Sequence, residues 1–444
     1  MNIRPRSGST EHQTLVKLIG FICILSAPLW VYGLFFPFPT NFPIENNLPA
    51  LVLVLVLVLA VQVILIRRMT AGDHFMAEVM AVGFLLKLAA VSAYIFMSVR
   101  LYEGVADVFF YFSSGVRIVD KYSLTGDWNF LQPFWSTNFI IMFTSWLVFV
   151  FGPAFQALMI VFATLAFWGQ YLFFRAFCIA FPTTERSAAA LFMFFLPSIV
   201  FWTATIGKDA VILFFIGASC YSFAKLTRRT GPAPLVTVLV SLGGVMLVRP
   251  HIAGMLAISL GGAYVFSRNR SGLLGMSAKS LGIPLFLLAS VYFVAQAGTF
   301  LDVRDIEQTQ GVLKRVGEVN FQTGGSAFGS SFIYRLFAAP FLLFRPFLWE
   351  VRSIQAALAG IEALGLMIFV WCRREFVRSS LRSCRENSFV LFLWVYSLEF
   401  SLLFAGAMTN FGLLARQRVM LIPLALMTVL SRPLPGVGCM KIRR

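Results

Sequence analysis

APLVTVLVSLGGVMLVRPHIAGMLAISLGGAYVFS, residues 233–267, stays apolar almost throughout and is interrupted once, at Arg249-Pro250-His251. About 20 apolar residues in a helix cross a hydrocarbon core about 30 Å thick. This run of about 34 is too long for one crossing and right for two. Pro250 supplies the break, because proline has no N–H to donate and its ring clashes with the preceding turn. The segment therefore predicts two membrane-spanning helices, 233–249 and 251–267, with Arg249 and His251 at the turn between them.

The pattern recurs along the chain. Of 444 residues, 59% are hydrophobic and 12% are charged, and the mean hydropathy is +0.83. A soluble domain carries roughly twice that charged fraction. Further apolar runs predict spans at about 15–36, 48–66, 76–98, 138–152, 154–174, 188–204, 210–226, 281–299, 336–348, 353–372, 388–407 and 413–430. The expected fold is all-α: a polytopic transmembrane helical bundle, with 1–444 forming a single integral membrane domain. The N-terminal run, about 15–36, has no small-residue cleavage site after it and reads as a retained first helix. The Leu-Val repeat at 50–66 is lipid-facing in character and carries no chemistry.

Basic loops set the expected orientation. Arg67-Arg68, Lys225 with Arg228-Arg229, Arg268 with Arg270 and Lys279, and the arginines 373, 374, 378, 382 and 385 mark the cytoplasmic side, and the tail Lys441, Arg443, Arg444 agrees. Counting every run as a crossing puts the chain ends in conflict. Two short runs resolve it by not crossing: 138–152, closed by Gly152-Pro153, and 336–348, which holds Pro340, Arg345 and Pro346. About 12–13 spans remain. The polar stretches 99–136 and 300–352 then lie outside, carry short interfacial helices and form an outer-face active-site region. The net charge of +17 fits basic loops on anionic lipid better than nucleic acid. Six scattered cysteines without a CxxC pair, and three histidines, support neither a disulfide framework nor a metal site.

Against that orientation, several cations fall on the outer side: Lys208, Arg249, Arg304, Arg315, Arg335, Arg345, Arg352, Arg416 and Arg418. An anionic ligand at the outer leaflet accounts for them. Asp107 and Tyr111, four apart on a helix, place a carboxylate beside aromatics, suited to a general base toward a sugar hydroxyl or to a solvated surface position. Lys208-Asp209, at a helix start after Leu196-Pro197, reads as a phosphate contact, a self-neutralising pair or a helix cap. Arg249 and His251 either hold phosphate, which the planar guanidinium suits, or snorkel to headgroups. Glu350 is expected to pair with a nearby arginine. Arg416 and Arg418 are costly against lipid and are expected to face a polar cavity. Within the spans lie Lys87, Glu362 and Glu399, with a Lys87–Glu362 ion pair as one arrangement.

With these residues in view, the chain resembles the GT-C superfamily of membrane glycosyltransferases, nearest to bacterial members of exopolysaccharide or surface-polysaccharide synthesis. The matching pieces are Asp107 with Tyr111, Leu196-Pro197-Ser198 through Phe201-Trp202 to Lys208-Asp209, Arg249-Pro250-His251, Arg345 through Glu350, and Asn410-Phe411-Gly412 through Arg416-Gln417-Arg418. The resemblance implies a polyprenyl-phosphate- or polyprenyl-diphosphate-linked sugar donor, used at the outer face of a bacterial inner membrane to extend a growing glycan acceptor. It implies Asp107 as the catalytic base of an inverting transfer. Tyr111, Lys208, Arg249, His251, Arg345, Arg416 and Arg418 would bind substrate, the cations among them offsetting leaving-group charge. No paired acidic metal motif is present, so no cofactor is expected. Transport or flipping of a lipid-linked or anionic substrate is the alternative.

Overall fold

The computed structural model describes residues 10–35, 47–101, 106–128, 131, 134–182, 185–228, 231–266, 339–351, 354–407 and 411–431. The predicted span 281–299, Arg304, Arg315, Arg335 and Arg352, most of the stretch 300–352 expected outside, and the basic tail lie outside them. Among the described residues every regular element is helical. In chain order these are α1 (Thr10–Leu25), α2 (Ala27–Phe35), α3 (Leu48–Met69), α4 (His74–Phe96), α5 (Asp107–Thr125), α6 (Thr137–Phe151), α7 (Phe155–Ala180), α8 (Arg186–Phe195) and α9 (Pro197–Trp202). They continue with α10 (Lys208–Arg228), α11 (Pro232–Val248), α12 (Pro250–Phe266), α13 (Ile354–Cys372), α14 (Arg374–Ser383), α15 (Ser388–Ala407), α16 (Phe411–Gln417) and α17 (Ile422–Leu430).

Six of these, α3, α4, α7, α10, α13 and α15, are long and apolar enough to cross a membrane, and the bent pairs α1–α2 and α16–α17 bring the number to eight. The protein is a multi-pass helical membrane protein. Helices α11 and α12, 17 residues each, sit at the lower limit for a crossing. The 15-residue α6 rises only about 22 Å, less than one hydrocarbon thickness.

Prolines correct three of the expected straight spans. The run 15–36 bends by 52° between α1 and α2, where Pro28 withholds an N–H and crowds the turn before it. The run 188–204 is not one helix. It ends as the 10-residue α8, and Pro197 opens α9, after which residues 203–207 run as buried non-helical chain. The run 413–430 bends by 56° at the entry to α17, where Pro423 stands in the first turn.

The chain divides into two compact units. The first holds Met1–Phe174, Arg186–Ala218 and Gly243–Arg249, and the second holds Arg175–Glu185, Ser219–Leu242 and Pro250–Arg444. Helices α7, α10 and α11 contribute residues to each.

The first unit is packed by phenylalanines and glycines. Phe167 sits edge-on to Phe84 and tilted against Phe194, with ring centroids 5.2 and 5.3 Å apart. Without a hydrophobic driving force between helices in lipid, close backbone approach supplies the attraction, and small residues permit it. Helices α7 and α10 cross in this way. A Cβ on Gly169 would meet the Phe214 backbone at 2.8 Å, and one on Gly217 would meet the Gly169 carbonyl oxygen at 2.6 Å. On α11, a Cβ on Gly244 would strike the Phe215 ring at 2.5 Å. These contacts fix the helices whose ends carry Lys208, Asp209 and Arg249. Gly169→Ala should therefore cost about 1–3 kcal/mol through overpacking. Gly243→Ala, where nothing lies within 4 Å of the new Cβ, should be neutral or slightly stabilising. Thermal melting of the two variants in detergent checks the contrast.

In the second unit, segment 179–185 ties several helix ends together. Arg228, at the end of α10, donates to the Ile179 and Ala180 carbonyls at 3.2 and 3.1 Å. Arg373 pairs with Glu185 at 2.7 Å. Phe181 packs edge-on against Phe389 near the start of α15. Arg228 and Arg373, two of the arginines that the basic-loop rule assigns to the cytoplasm, thus meet one short segment.

Candidate functional site

Three segments of the first unit converge on one polar cluster. Pro250 ends α11, and Arg249 stands at the break with its N–H on the Val245 carbonyl at 2.7 Å. Its guanidinium donates to the Asp209 carboxylate at 2.9 Å. Arg249 is 8% and Asp209 1% exposed, so this is a buried ion pair whose attraction is little screened. Lys208, the first residue of α10 and half-buried, donates to the Ser136 hydroxyl at 2.9 Å. The Ser136 N–H donates in turn to the Leu247 carbonyl at 2.6 Å. Ser136, Lys208-Asp209 and Leu247–Arg249 are thereby linked by side-chain and main-chain bonds.

Ser136 holds φ 58° and ψ −122°, a region that L residues rarely occupy. Holding a non-glycine residue there costs about 1–3 kcal/mol, and such strain concentrates at functional sites. In the sequence, Ser136 before an apolar run reads as an ordinary helix cap, yet it makes no side-chain capping bond, and its hydroxyl accepts from Lys208. Only the fold brings position 136 to position 208.

The cluster carries two positive charges and one negative. It also stands at the N-terminus of the 21-residue α10, where aligned peptide dipoles add partial positive charge. Its electrostatics favour an anion.

Asp107 is exposed at the start of α5. Tyr111, one turn on, is 5% exposed and belongs to the core side of that helix. Helix α5 packs on α6 at Gly115, where an added Cβ would meet Thr144 Cγ2 at 3.1 Å.

Lys87 and Glu362 each have other partners. Fully buried, Lys87 donates to the Ile199 and Val200 carbonyls at 3.1 and 3.0 Å and to the Thr203 hydroxyl. Lysine satisfies the last carbonyls of a helix in this way, and here it holds the end of α9 and the start of chain 203–207. Glu362 accepts from Arg418 at 3.3 Å.

In the second unit Arg418 is fully buried. It donates to the Leu343, Arg345 and Ala359 carbonyls at 3.2, 2.7 and 3.3 Å, besides Glu362. Arg345, 4% exposed, pairs with Glu350, whose carboxylate also accepts the Phe347 N–H at 2.9 Å. Segment 339–350, with its two short 3-10 turns, is pinned by Arg418 at its middle and by the Arg345–Glu350 pair at its end. These contacts make Arg345 and Arg418 framework residues. Arg416 and His251 are half-buried, and His251 lies with its ring 6.1 Å from that of Phe404.

Among the described residues, no three His, Cys, Asp or Glu side chains are grouped to hold a metal ion. No protein-family model, curated protein or solved structure matches the chain.

Proposed function

We propose that the protein is a membrane glycosyltransferase that uses a polyprenyl-phosphate- or polyprenyl-diphosphate-linked sugar at the outer face of a bacterial inner membrane, in polysaccharide assembly. The observation that carries the reading is the Ser136–Lys208–Asp209–Arg249 cluster. It is a strained, net-positive site at the N-terminus of α10, the arrangement an outgoing phosphate requires. Helix α10 bears Lys208 at one end and Arg228 at the other. Its 21 residues rise about 31 Å, one hydrocarbon thickness. With the basic end inside, Lys208 is outside, where a lipid-linked donor presents its phosphate.

In this reading Lys208 and Arg249 neutralise charge building on the donor phosphate as the sugar–oxygen bond breaks. Asp107 takes the acceptor hydroxyl proton as the acceptor oxygen bonds to the anomeric carbon from the face opposite the phosphate, which leaves with the electrons of the sugar–oxygen bond. The second reading, transport of a lipid-linked or anionic substrate, draws on Glu399 within α15. One oxygen of this carboxylate is buried with no hydrogen-bond partner among the described residues, and ionisable groups inside spans mark ion pathways.

The test is transfer. Purified protein in nanodiscs, given polyprenyl-linked glycan from host membranes, should extend it. Lys208→Gln and Asp107→Asn should each lower the rate by at least about 100-fold while the melting temperature stays near that of the parent. Undiminished extension by both variants would refute the assignment, and substrate movement without a new glycosidic bond would establish transport.

A further inference from the structure

Helix α14, ten residues long, joins α13 to α15, two helices able to cross a membrane, so it lies at the level where those spans end. Its two faces differ sharply. The inner face is built into the second unit: Arg373, just before α14, pairs with Glu185 at 2.7 Å and lies over the Phe369 and Phe376 rings. Ser380 is buried and accepts from Trp394 Nε1 at 3.2 Å. The outer face carries Arg374, Arg378 and Arg382, spaced by four and all exposed, with Arg385 exposed a turn further. Two large apolar side chains accompany them: Trp371, 69% exposed and stacked under Arg374, and Leu381, 56% exposed. Glu375 is the one acid on the helix. It contacts Arg378 at 2.6 Å and Arg374 at 4.0 Å, so a single carboxylate stands against two of the arginines.

We infer that the outer face of α14 is a binding site for anionic phospholipid headgroups of the protein's own leaflet. Arginine forks meet phosphate oxygens in paired, charge-assisted bonds. The i, i+4, i+8 spacing extends them about 12 Å along one line, enough to span neighbouring headgroups. An indole and a leucine among the arginines suit the interfacial zone, where amphipathic helices lie flat with apolar side chains in the acyl boundary. A solvated loop facing a soluble acidic partner has no use for exposed Trp371 and Leu381.

The test uses the full-length protein in nanodiscs of phosphatidylcholine with or without phosphatidylglycerol, and native mass spectrometry to count retained lipids. Each arginine near an anionic surface contributes about fivefold, so three contribute on the order of a hundredfold. The parent should retain phosphatidylglycerol with that preference. Arg374→Gln/Arg378→Gln/Arg382→Gln should lose it, and the matching triple lysine variant should keep a large part of it. Because these side chains are exposed, both variants should melt with the parent. Equal preference in parent and glutamine variant would overturn the inference. So would loss of the bound lipid to inorganic phosphate at millimolar concentration, or capture of a soluble acidic protein with no lipid preference.

Discussion

Arg418→Met should destabilise the protein by about 3–5 kcal/mol, the usual result of breaking a buried ion pair from one side. The guanidinium is completely buried and bonds to three carbonyls and to Glu362, whose side chain is 7% exposed. Removing it takes the Arg418 charge away from a buried carboxylate and a donor away from three carbonyls, each costing free energy in an apolar setting. Arg418→Met/Glu362→Leu should recover the carboxylate's share and no more, since the carbonyls still lack their donor. Denaturant unfolding in detergent reads both effects. Limited proteolysis should show segment 339–350 cut first, because Arg418 pins it at Leu343 and Arg345. An Arg418 that served only to hold substrate would give the opposite pattern, with a parental melting curve and lost transfer.

That placement shows what a linear reading misses. Arg416 and Arg418, two apart, were both expected to face a polar cavity. On a helix such positions point in nearly opposite directions, and the two arginines differ accordingly, one half-buried and one enclosed by carbonyls. The helical class follows from apolar runs whose lengths match a bilayer, a property each segment has by itself, while of about 12–13 expected crossings six to eight are long and apolar enough among the described residues. The turn at Arg249-Pro250 was legible for the same reason. Pro28, Pro197 and Pro423 were equally legible as breaks, and weighing them against run length would have shown the bends. The partnerships were not. Asp209 lies 40 positions from Arg249 and Ser136 lies 72 from Lys208, so both depend on tertiary packing, such as that of α11 on α10 at Gly244 and Phe215. A buried charge calls for compensation, and pairing Lys87 with Glu362 is one arrangement that supplies it. Sequence gave no sign that main-chain carbonyls, exposed where Pro197 breaks the run, would supply it.

The second large effect separates framework from chemistry at the cluster. Asp209→Ala should cost about 3–5 kcal/mol, because Arg249 would keep its charge in a buried place without Asp209. Asp209→Leu/Arg249→Met removes both charges and replaces them with apolar groups of similar bulk. Buried pairs exchanged in this way are often neutral or stabilising. The double variant should therefore melt near the parent, so the coupling between the two positions should be at least as large as the ~3–5 kcal/mol that removing Asp209 alone costs. Transfer activity should not follow stability. Asp209 is nearly inaccessible, while Arg249 and Lys208 supply the positive charge that the proposed phosphate contact needs, so the double variant should be folded and still at least about 100-fold slower than the parent. Restoration of both stability and transfer in that variant would confine Arg249 to a framework role. It would also leave Lys208, bonded to strained Ser136, as the cation to pursue.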